Sequence, residues 1–418
     1  MTFSKLIKPT VLAAAVMSVF SVNAETIAIT NANVYTADEQ GIIENASVII
    51  EDGKIKAVNP ATVEADKVID AQGKILTPGF IGSMNQLGLV EVSAVSRSRD
   101  SSEKKADITF DASAAFNPRS TAIAYTRKGG ITSNVVVPRG GDDMFKGQAF
   151  VADLSGDFNS VFSTGNAVIV DLGAKSKGSR ATELTKLHNK LADAQKALDK
   201  KAEKKSDKDK KSDKEPKRSE KVINKLLSGE MPLIAYVDRA TDILALIKLK
   251  EKFGLDLVVS GAGDAVLVAE QLVEAKVPVI MGAVSNLPSS FDSLHASLDN
   301  AGKLANAGVD LVFTVRGDTH NLYQLRFDAG VAIAHGMPKE QALSAITANV
   351  AEVFNINAGV IAPGKRADLV LWSGDPFELS SKVEKMWIEG VQHTTDSRHD
   401  ALRDRYTTSS DMPRAYTK

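Results

Sequence analysis

The middle of the chain alternates short apolar segments with amphipathic ones. The apolar segments have the length of strands and are "ITSNVVVPR", "NAVIVDLG", "MPLIAYVD", "LDLVVSG", "VPVIMG" and "VDLVFTVR". Helical patterns lie among them, namely "ATDILALIKLKEKFG", "DAVLVAEQLVEAK", "SLDNAGKLANAG" and "PKEQALSAITANVAEVF". Strands that are apolar on both faces are typical of a parallel sheet covered by helices, and this many repeats predict an α/β fold with a closed (β/α)8 barrel of the TIM type. Functional residues are then expected at the carboxyl ends of the strands.

The two ends of the chain show a different pattern. Residues 25–75 contain short β segments with turn signals, including Asp52-Gly53 as a two-residue hairpin turn. Similar β segments return near the end of the chain as "ADLVLWSGDP" and "KVEKMWIEGVQH". We therefore expect a small β-sandwich formed by both ends of the chain. The predicted boundaries are 25–75 and 356–395 for the sandwich, 76–355 for the barrel and 396–418 for a polar tail.

The first residues resemble an export signal. Lys5 and Lys8 precede the apolar run "VLAAAVMSVFSV", which closes on Val22-Asn23-Ala24, a small-residue cleavage pattern. The run is short for a membrane span, and the rest of the chain has no longer one. We predict that residues 1–24 are a signal peptide cleaved after Ala24, that the protein is periplasmic, and that the mature chain does not insert into the membrane.

A charged insertion, residues 176–221, interrupts the barrel pattern. Its first half places five residues on one helical stripe: Leu184, Leu187, Leu191, Ala194 and Leu198. This stripe predicts an amphipathic helix that packs on the barrel or on a partner. The second half, "KKAEKKSDKDKKSDKEPKRSEK", mixes both signs of charge and is predicted to be a solvated, mobile loop rather than a patch for acidic partners. A formal net charge of -1 gives no indication of nucleic-acid binding.

The residues available for metal binding are few. The chain has no cysteine, so a transition-metal site would depend on histidines and carboxylates. The six histidines are His188, His295, His320, His335, His393 and His399.

The segment "ILTPGFIGSMNQLG" resembles the first-strand signature of the amidohydrolase superfamily. Ordered matches follow in "FNPRSTAIAYTRKGGITSNVVVPRGG", "KGQAFVADLSG", "PLIAYVDRATDI", "HGMPKEQALSAITANVAEVF" and "APGKRADLVLW", which are similar to a periplasmic, imidazolonepropionase-like branch. The resemblance implies hydrolysis of non-peptide C–N bonds in cyclic amides, ureas or N-acyl amino-acid derivatives. It also implies a divalent metal cofactor, usually zinc.

The family signature contains His-x-His, but this chain has other residues there. Residues two apart on a strand face the same side, so two imidazoles can bind one ion, which lowers the pKa of a bound water from about 15.7 to near 7. Met84 and Gln86 stand at the two histidine positions, and Gly82 stands where the family has aspartate. A thioether suits Cu(I) and an amide oxygen binds zinc weakly, so we predict that this pair does not hold zinc.

The other metal-ligand positions that the resemblance implies are also substituted. The histidine of strand five falls near Tyr236, and that of strand six near Ser260 or Gly261. The aspartate that ends strand eight falls near Arg316. We therefore expect no metal cofactor. The Arg316 guanidinium either replaces the ion as a fixed positive charge, or forms a structural ion pair at the barrel rim.

Four other ionisable residues are candidate pocket residues: Asp238, Arg239, Asp318 and His320. Asp238 and Asp318 are candidate partners of Arg316. Asp318 and His320 could form an acid-base pair or half a metal site, but solvated loop residues fit the same pattern. His295 has no partner that spacing identifies, and His335 is predicted to have a structural role at a helix end.

Two functional hypotheses remain open. The first is a non-catalytic relative, either binding a small anionic or amide ligand or acting as the companion subunit of an active paralogue, with the leucine stripe as a docking face. The second is an active hydrolase with a non-standard site formed by Asp238, Asp318 and His320.

Overall fold

The computed structural model describes residues 25–172, 179–206, 215–315 and 317–408. Its strands are β1 Ile27–Tyr35, β2 Ile42–Glu51, β3 Lys54–Val58, β4 Lys67–Asp70, β5 Ile75–Pro78, β6 Phe80–Asn85, β7 Ile131–Val136, β8 Phe145–Asp153, β9 Val161–Asp171, β10 Leu233–Val237, β11 Leu257–Gly261, β12 Val279–Met281, β13 Leu311–Phe313, β14 Leu369–Trp372, β15 Val383–Ile388 and β16 Val391–His393. Its α-helices are α1 Thr121–Thr126, α2 Arg180–Ser206, α3 Arg218–Leu227, α4 Ala240–Phe253, α5 Ala269–Glu274, α6 Asn300–Asn306, α7 Leu325–Ala334, α8 Lys339–Ser344, α9 Ala348–Val353 and α10 Arg398–Thr407. Within these ranges, no helix has both the length and the apolar character needed to cross a bilayer. The predicted signal peptide, residues 1–24, lies outside the described residues.

A separate sheet is formed by strands from both ends of the chain. Its order is β16-β15-β14-β5-β1-β2-β3, and β4 pairs with β1. The central contact is antiparallel pairing of β14 with β5, which brings Leu369 opposite Pro78. The composite β layer was therefore predicted correctly, whereas the proposed domain boundaries stay a prediction.

The hairpin between β2 and β3 turns through two residues. Asp52 and Gly53 have φ angles of 51° and 72°, both left-handed. This is the geometry of the turn that matches the twist of paired strands, for which Asp-Gly is a preferred sequence. The predicted hairpin turn is confirmed.

The second sheet is a nearly closed barrel of eight strands. Its order is β13-β12-β11-β10-β9-β8-β7-β6. The two end strands are joined by hydrogen bonds: Ser83 Oγ donates to Phe313 O at 3.3 Å, and Thr314 Oγ1 donates to Ser83 O at 2.8 Å.

One strand of the barrel differs from the predicted repeat. β8 runs antiparallel to both β7 and β9, while the other neighbours in this sheet are parallel. Only residues 137–144 and 154–160 connect β8 to its neighbours. Antiparallel strands can be joined by such short connections, whereas parallel strands need a longer crossover. The prediction of a strict (β/α)8 repeat is therefore wrong at β8, and the barrel-like sheet is confirmed.

Alternate side chains of the barrel strands enter two separate cores. On β10, Leu233 and Ala235 pack in the core that includes helix residues such as Leu246. Ile234 and the half-buried Tyr236 instead pack with side chains from the other barrel strands. Both faces of the strands are thus removed from water, which explains why their sequences are apolar throughout.

The insertion is more helical than predicted. Leu187 and Leu191 of α2 are buried in the same core as the barrel strands, and Leu184 packs against it. The stripe therefore packs on the barrel of its own chain, and its use as a docking face is wrong. Helix α2 extends to Ser206 and α3 begins at Arg218, so the predicted mobile loop is wrong at both of its ends. Residues 207–214 lie outside the described residues.

The predicted polar tail also contains a helix. α10 begins with a capping box in which Ser397 and Asp400 satisfy each other's backbone N–H groups. Because the helix exposes polar residues on all sides, the apolar periodicity that marks other helices is missing from its sequence.

Candidate functional site

A cavity of about 880 Å³ lies at the carboxyl ends of the barrel strands. Gln86 follows β6, Arg139 follows β7, and Asp318 and His320 follow β13. The charged, imidazole and carboxamide side chains that line it are Gln86, Glu91, Arg99, Arg139, Asp318, His320, Arg398 and His399. The structure thus brings three residues singled out from the sequence, Gln86, Asp318 and His320, into one cavity.

Strand β6 changes its geometry before the predicted ligand pair. Met84 has a φ of 57°, a left-handed conformation that is uncommon for a residue with a side chain, and the pairing with β7 shifts between Gly82 and Asn85. Met84 consequently packs against the apolar interior of the barrel, while Gln86 lines the cavity. Strand β6 is therefore irregular between the two positions that the resemblance pairs.

The carboxamide of Gln86 is held between two groups. Arg139 Nε donates to Gln86 Oε1 at 3.2 Å, and Gln86 Nε2 donates to Val137 O at 3.3 Å. A guanidinium therefore contacts the oxygen through which this side chain would bind a cation.

Two buried carboxamides fix the backbone beside this contact. Asn85 Nδ2 donates to Asn134 Oδ1 at 2.7 Å, and Asn134 Nδ2 donates back to Asn85 Oδ1 at 2.9 Å. Leu87 N also donates to Asn85 Oδ1, at 3.0 Å. This arrangement joins the ends of β6 and β7 and sets where the following residues, Gln86 among them, leave the sheet.

Tyr236 lies on β10, opposite Asp171 of β9 and Ser260 of β11. Burial raises the pKa of the Tyr236 phenol, and the negative charge of Asp171 raises it further against the opposing effect of Arg139. The phenol therefore stays protonated at neutral pH and can donate a hydrogen bond. Gly261 follows with a φ of 88°, and a Cβ at this position would lie 2.9 Å from Asp238 Oδ1.

Asp238 and Arg239 are outside the set of residues that line the cavity. Asp238 Oδ1 accepts a hydrogen bond from Gly263 N at 3.3 Å, which caps the turn after β11. Arg239 Nε pairs with Asp292 Oδ1 at 2.5 Å, and Arg180 pairs with the other oxygen of the same carboxylate. Of the four candidate pocket residues, Asp318 and His320 line this cavity.

Asp318 begins the short 3₁₀ helix Thr319–Gln324, and both it and His320 are exposed at the cavity. Arg316, the position with the two alternative hypotheses, lies outside the described residues.

His295 has a partner that spacing did not identify, because its Nδ1 lies 2.7 Å from Asp264 Oδ1. His335 ends α7, and its Nδ1 lies 3.1 Å from Asp299 Oδ1.

Helix α10 borders the cavity and is attached to α1. The His399 ring packs edge-on against Tyr125 with centroids 4.7 Å apart, and Lys128 Nζ lies 2.7 Å from Asp400 Oδ2. The hydrogen bond from Lys128, followed by those from Ser397, lowers the pKa of the Asp400 carboxyl. Arg398, His399 and Leu402 of this helix line the cavity.

Comparison with known proteins identifies the family. Residues 191–395 match the model of the Amidohydrolase family. The structure superimposes on an amidohydrolase from Thermotoga maritima MSB8 with a TM-score of 0.78 and 26% identity, covering 88% of this chain and 99% of that one. The chain resembles members of the amidohydrolase superfamily in both sequence and fold. The family resemblance seen in the sequence is therefore confirmed.

Other amidohydrolases share less with this chain. The amidohydrolase tasK of Hapsidospora irregularis is 22% identical over 392 residues, which cover 84% of this chain and 40% of that protein. The chain thus spans well under half the length of that curated relative. An adenosine deaminase from Xanthomonas campestris with bound zinc has the same fold, with a TM-score of 0.51 and 15% identity over 91% of this chain and 97% of that one.

The donors expected of a metal-dependent amidohydrolase are not grouped in the parts of this chain that are described. Across residues 25–172, 179–206, 215–315 and 317–408, no three histidine or carboxylate side chains converge on one point.

Arg139, Asp171 and the residues of α10 were not among the residues predicted from the sequence. The positions of Arg139 and Asp171 in the sequence could have identified them, because Arg139 follows the apolar run "NVVVP" and Asp171 ends the run "AVIVD". Polar residues at the carboxyl ends of barrel strands are the ones expected to face the cavity. For α10, the pair Ser397 and Asp400 is a helix-start signal that the sequence also contained.

Proposed function

We propose that this protein binds a small anionic ligand in the cavity at the barrel mouth and does not use the metal-dependent hydrolysis of the amidohydrolases that it resembles. The observation that carries this proposal is the hydrogen bond from Arg139 to Gln86. It puts a fixed positive charge at a position where the family has a metal-binding histidine.

The residues at the family's ligand positions do not fit a zinc ion. Zinc needs three or four nitrogen, sulfur or oxygen donors whose lone pairs converge. Met84 packs in an apolar core, the oxygen of Gln86 accepts from a guanidinium, and Tyr236 keeps its proton. A divalent ion 4 Å from a guanidinium is repelled by about 2 kcal/mol even in bulk water. No step of the proposal therefore involves a metal.

The charges around the cavity favour an anion. Arg99, Arg139 and Arg398 line it, and the described part of the chain supplies no ion-pair partner for any of them. Of the two lining carboxylates, Glu91 accepts hydrogen bonds from Asn117 Nδ2 at 2.8 Å and from Ser120 Oγ at 2.9 Å. Guanidinium groups bind carboxylates and phosphates through paired hydrogen bonds. The cavity volume suits a ligand of small-molecule size.

Binding of N-acetylglycine and of neutral N-acetylglycinamide, each followed by calorimetric titration, tests the proposal. We expect the carboxylate to bind and its amide to bind at least tenfold more weakly. Arg139→Ala should abolish that preference. Arg119→Ala is the matched control, because Arg119 lies over the Phe158 ring and is not a cavity residue. Equal binding of the two probes, or a preference that survives Arg139→Ala, would overturn the proposal.

The second candidate function is an active hydrolase with a non-standard site. It is favoured by the shared position of Asp318 and His320 in the cavity with Gln86. Asp238, the third residue of that hypothesis, accepts a hydrogen bond from Gly263 N and is not among the residues that line the cavity. Turnover of a hydantoin or an N-acyl dipeptide that is lost in both Asp318→Asn and His320→Gln would support this candidate. Undetectable turnover with zinc, manganese or iron supplied would exclude it for these substrates.

A companion role beside an active homologous subunit is a further proposal. It draws support from tasK, because most of that relative lies beyond the region that this chain matches. The burial of Leu187 and Leu191 means that docking would use another face. Co-purification of the tagged protein with a metal-containing homologue from its own cells, at equal stoichiometry, tests this role.

A further inference from the structure

The cavity has cationic side chains on two opposed structural elements. Arg139 belongs to the barrel, where it follows β7, and Arg398 belongs to α10, more than 250 positions later in the chain. Both line the same cavity, together with His399 and Leu402 of α10.

The attachment of α10 is local and polar. None of its residues is buried. The His399 ring contacts Tyr125 of α1, and Asp400 pairs with Lys128 of the turn that follows α1. The capping box at Ser397 fixes where the helix starts and so places Arg398 and His399 at the cavity. Arg405, by contrast, lies over the exposed ring of Tyr406 at the far end of the helix.

A carboxylate bound by both terminal nitrogens of Arg139 leaves Arg398 available for a second anionic group. Arg139 Nε already donates a hydrogen bond to Gln86, which leaves the two terminal nitrogens of the guanidinium for one carboxylate. Arg398 has no ion-pair partner in the described ranges and would keep its charge without a counterion.

We propose that the ligand carries two anionic groups, one bound by Arg139 at the barrel mouth and the other by Arg398 on α10. This inference rests on the proposed function, since it specifies the ligand class of the same cavity. It makes Arg398 a specificity-determining residue and α10 a part of the binding site.

A matched series of ligands tests the second anionic group. N-acetyl-L-aspartate, N-acetyl-L-glutamate and N-acetyl-L-2-aminoadipate each have a side-chain amide that differs by a single charge, and the series varies the distance between the two carboxylates. We expect at least one diacid to bind about tenfold tighter than its amide, equivalent to about 1.4 kcal/mol. Arg398→Ala should remove this difference, while Arg405→Ala should preserve it.

A second readout follows the helix itself. The diacid, and not its amide, should slow amide hydrogen exchange over residues 398–407, because only the diacid bridges the helix to the barrel. Equal affinities within all three pairs, or a difference that persists in Arg398→Ala, would overturn the inference. If the amides still bind in an Arg139-dependent manner, the proposed function stands and only the second anionic group is excluded. If no carboxylate binds at all, the proposed function itself fails.

Discussion

The guanidinium of Arg139 lies 3.2 Å, through its Nε, from the carboxamide oxygen of Gln86. The two residues follow adjacent parallel strands, β6 and β7, and the reciprocal hydrogen bonds of Asn85 and Asn134 join those strands just before them. The oxygen of Gln86, which the sequence resemblance places at a metal-binding histidine position, thus accepts a hydrogen bond from a neighbouring cation.

Restoring the histidine pair should not be sufficient to restore zinc binding. In Met84→His combined with Gln86→His, Arg139 still repels a divalent ion and the left-handed backbone at position 84 still directs that side chain toward the interior. Adding Arg139→Ala should raise the zinc affinity at least tenfold over the double variant, measured by competition with a chromogenic chelator. Tight zinc binding by the double variant alone would contradict the proposed repulsion.

Asn134 should contribute to stability through its buried hydrogen bonds. Asn134→Leu leaves the Asn85 carboxamide without its partner, which should cost about 1–3 kcal/mol in the free energy of unfolding. Urea unfolding measures the change. Asn189→Leu, at an exposed position on α2, is the control and should change stability by less than about 0.5 kcal/mol.

Lys128 should hold α10 in place without much effect on global stability. Lys128→Met removes the ion pair with Asp400, so hydrogen exchange over residues 398–407 should accelerate. The Tm should change little, because a single, partly exposed ion pair on a peripheral helix contributes little. Lys128→Arg should retain slow exchange. The pKa of Asp400 is lowered in the folded protein, so the pair's contribution is present above the ordinary pKa of aspartate and is lost only as the pH falls through the lowered value. Exchange that is equally fast in the wild type and in Lys128→Met would show that the pair does not anchor the helix.

Asp328 should make the protein less stable as the pH rises. Burial raises the pKa of this α7 carboxyl to about 6, above its value in an unfolded chain. The folded state then binds more protons than the unfolded state between about pH 4 and pH 6, so this group's contribution to stability decreases over that window. Asp328→Asn should therefore raise the free energy of unfolding at pH 7.5 by about 1–2 kcal/mol and leave it nearly unchanged at pH 4. A stabilisation that is equal at both pH values would refute this account.

The predicted signal peptide can be tested by determining the first residue of the mature protein. Expression of the full chain with its first 24 residues should give an exported protein whose N-terminal residue is Glu25, determined by mass spectrometry of the intact protein. Replacing Ala24 with a bulky residue should retain the unprocessed form. Full-length protein recovered from the cytoplasm of wild-type cells would contradict the predicted periplasmic location.

The barrel was predictable because its strands are apolar on both faces, a pattern that few other architectures produce. The direction of β8 was not, because local sequence records the burial of a strand and not which way it runs. The left-handed conformation of Met84 has no local signal either, since it depends on the pairing of β6 with β7.

Charged residues at the site were predicted less well than the strands. Arg239 was a candidate pocket residue because it follows β10, but its partner Asp292 is 53 positions away and the contact is purely tertiary. Arg139 could have been found by extending the search to every residue after a barrel strand. The contribution of α10 could not, because a polar helix with no buried residue shows nothing in its sequence about where it packs.

Zinc titration of the purified, chelator-treated wild-type protein, followed by calorimetry, tests the central claim most directly. Our account predicts no stoichiometric heat of binding, because Arg139 and the neutral donors around it offer no site for a divalent ion. One zinc ion bound per chain, displacing a bound carboxylate and conferring chelator-sensitive hydrolysis of an N-acyl substrate, would contradict it.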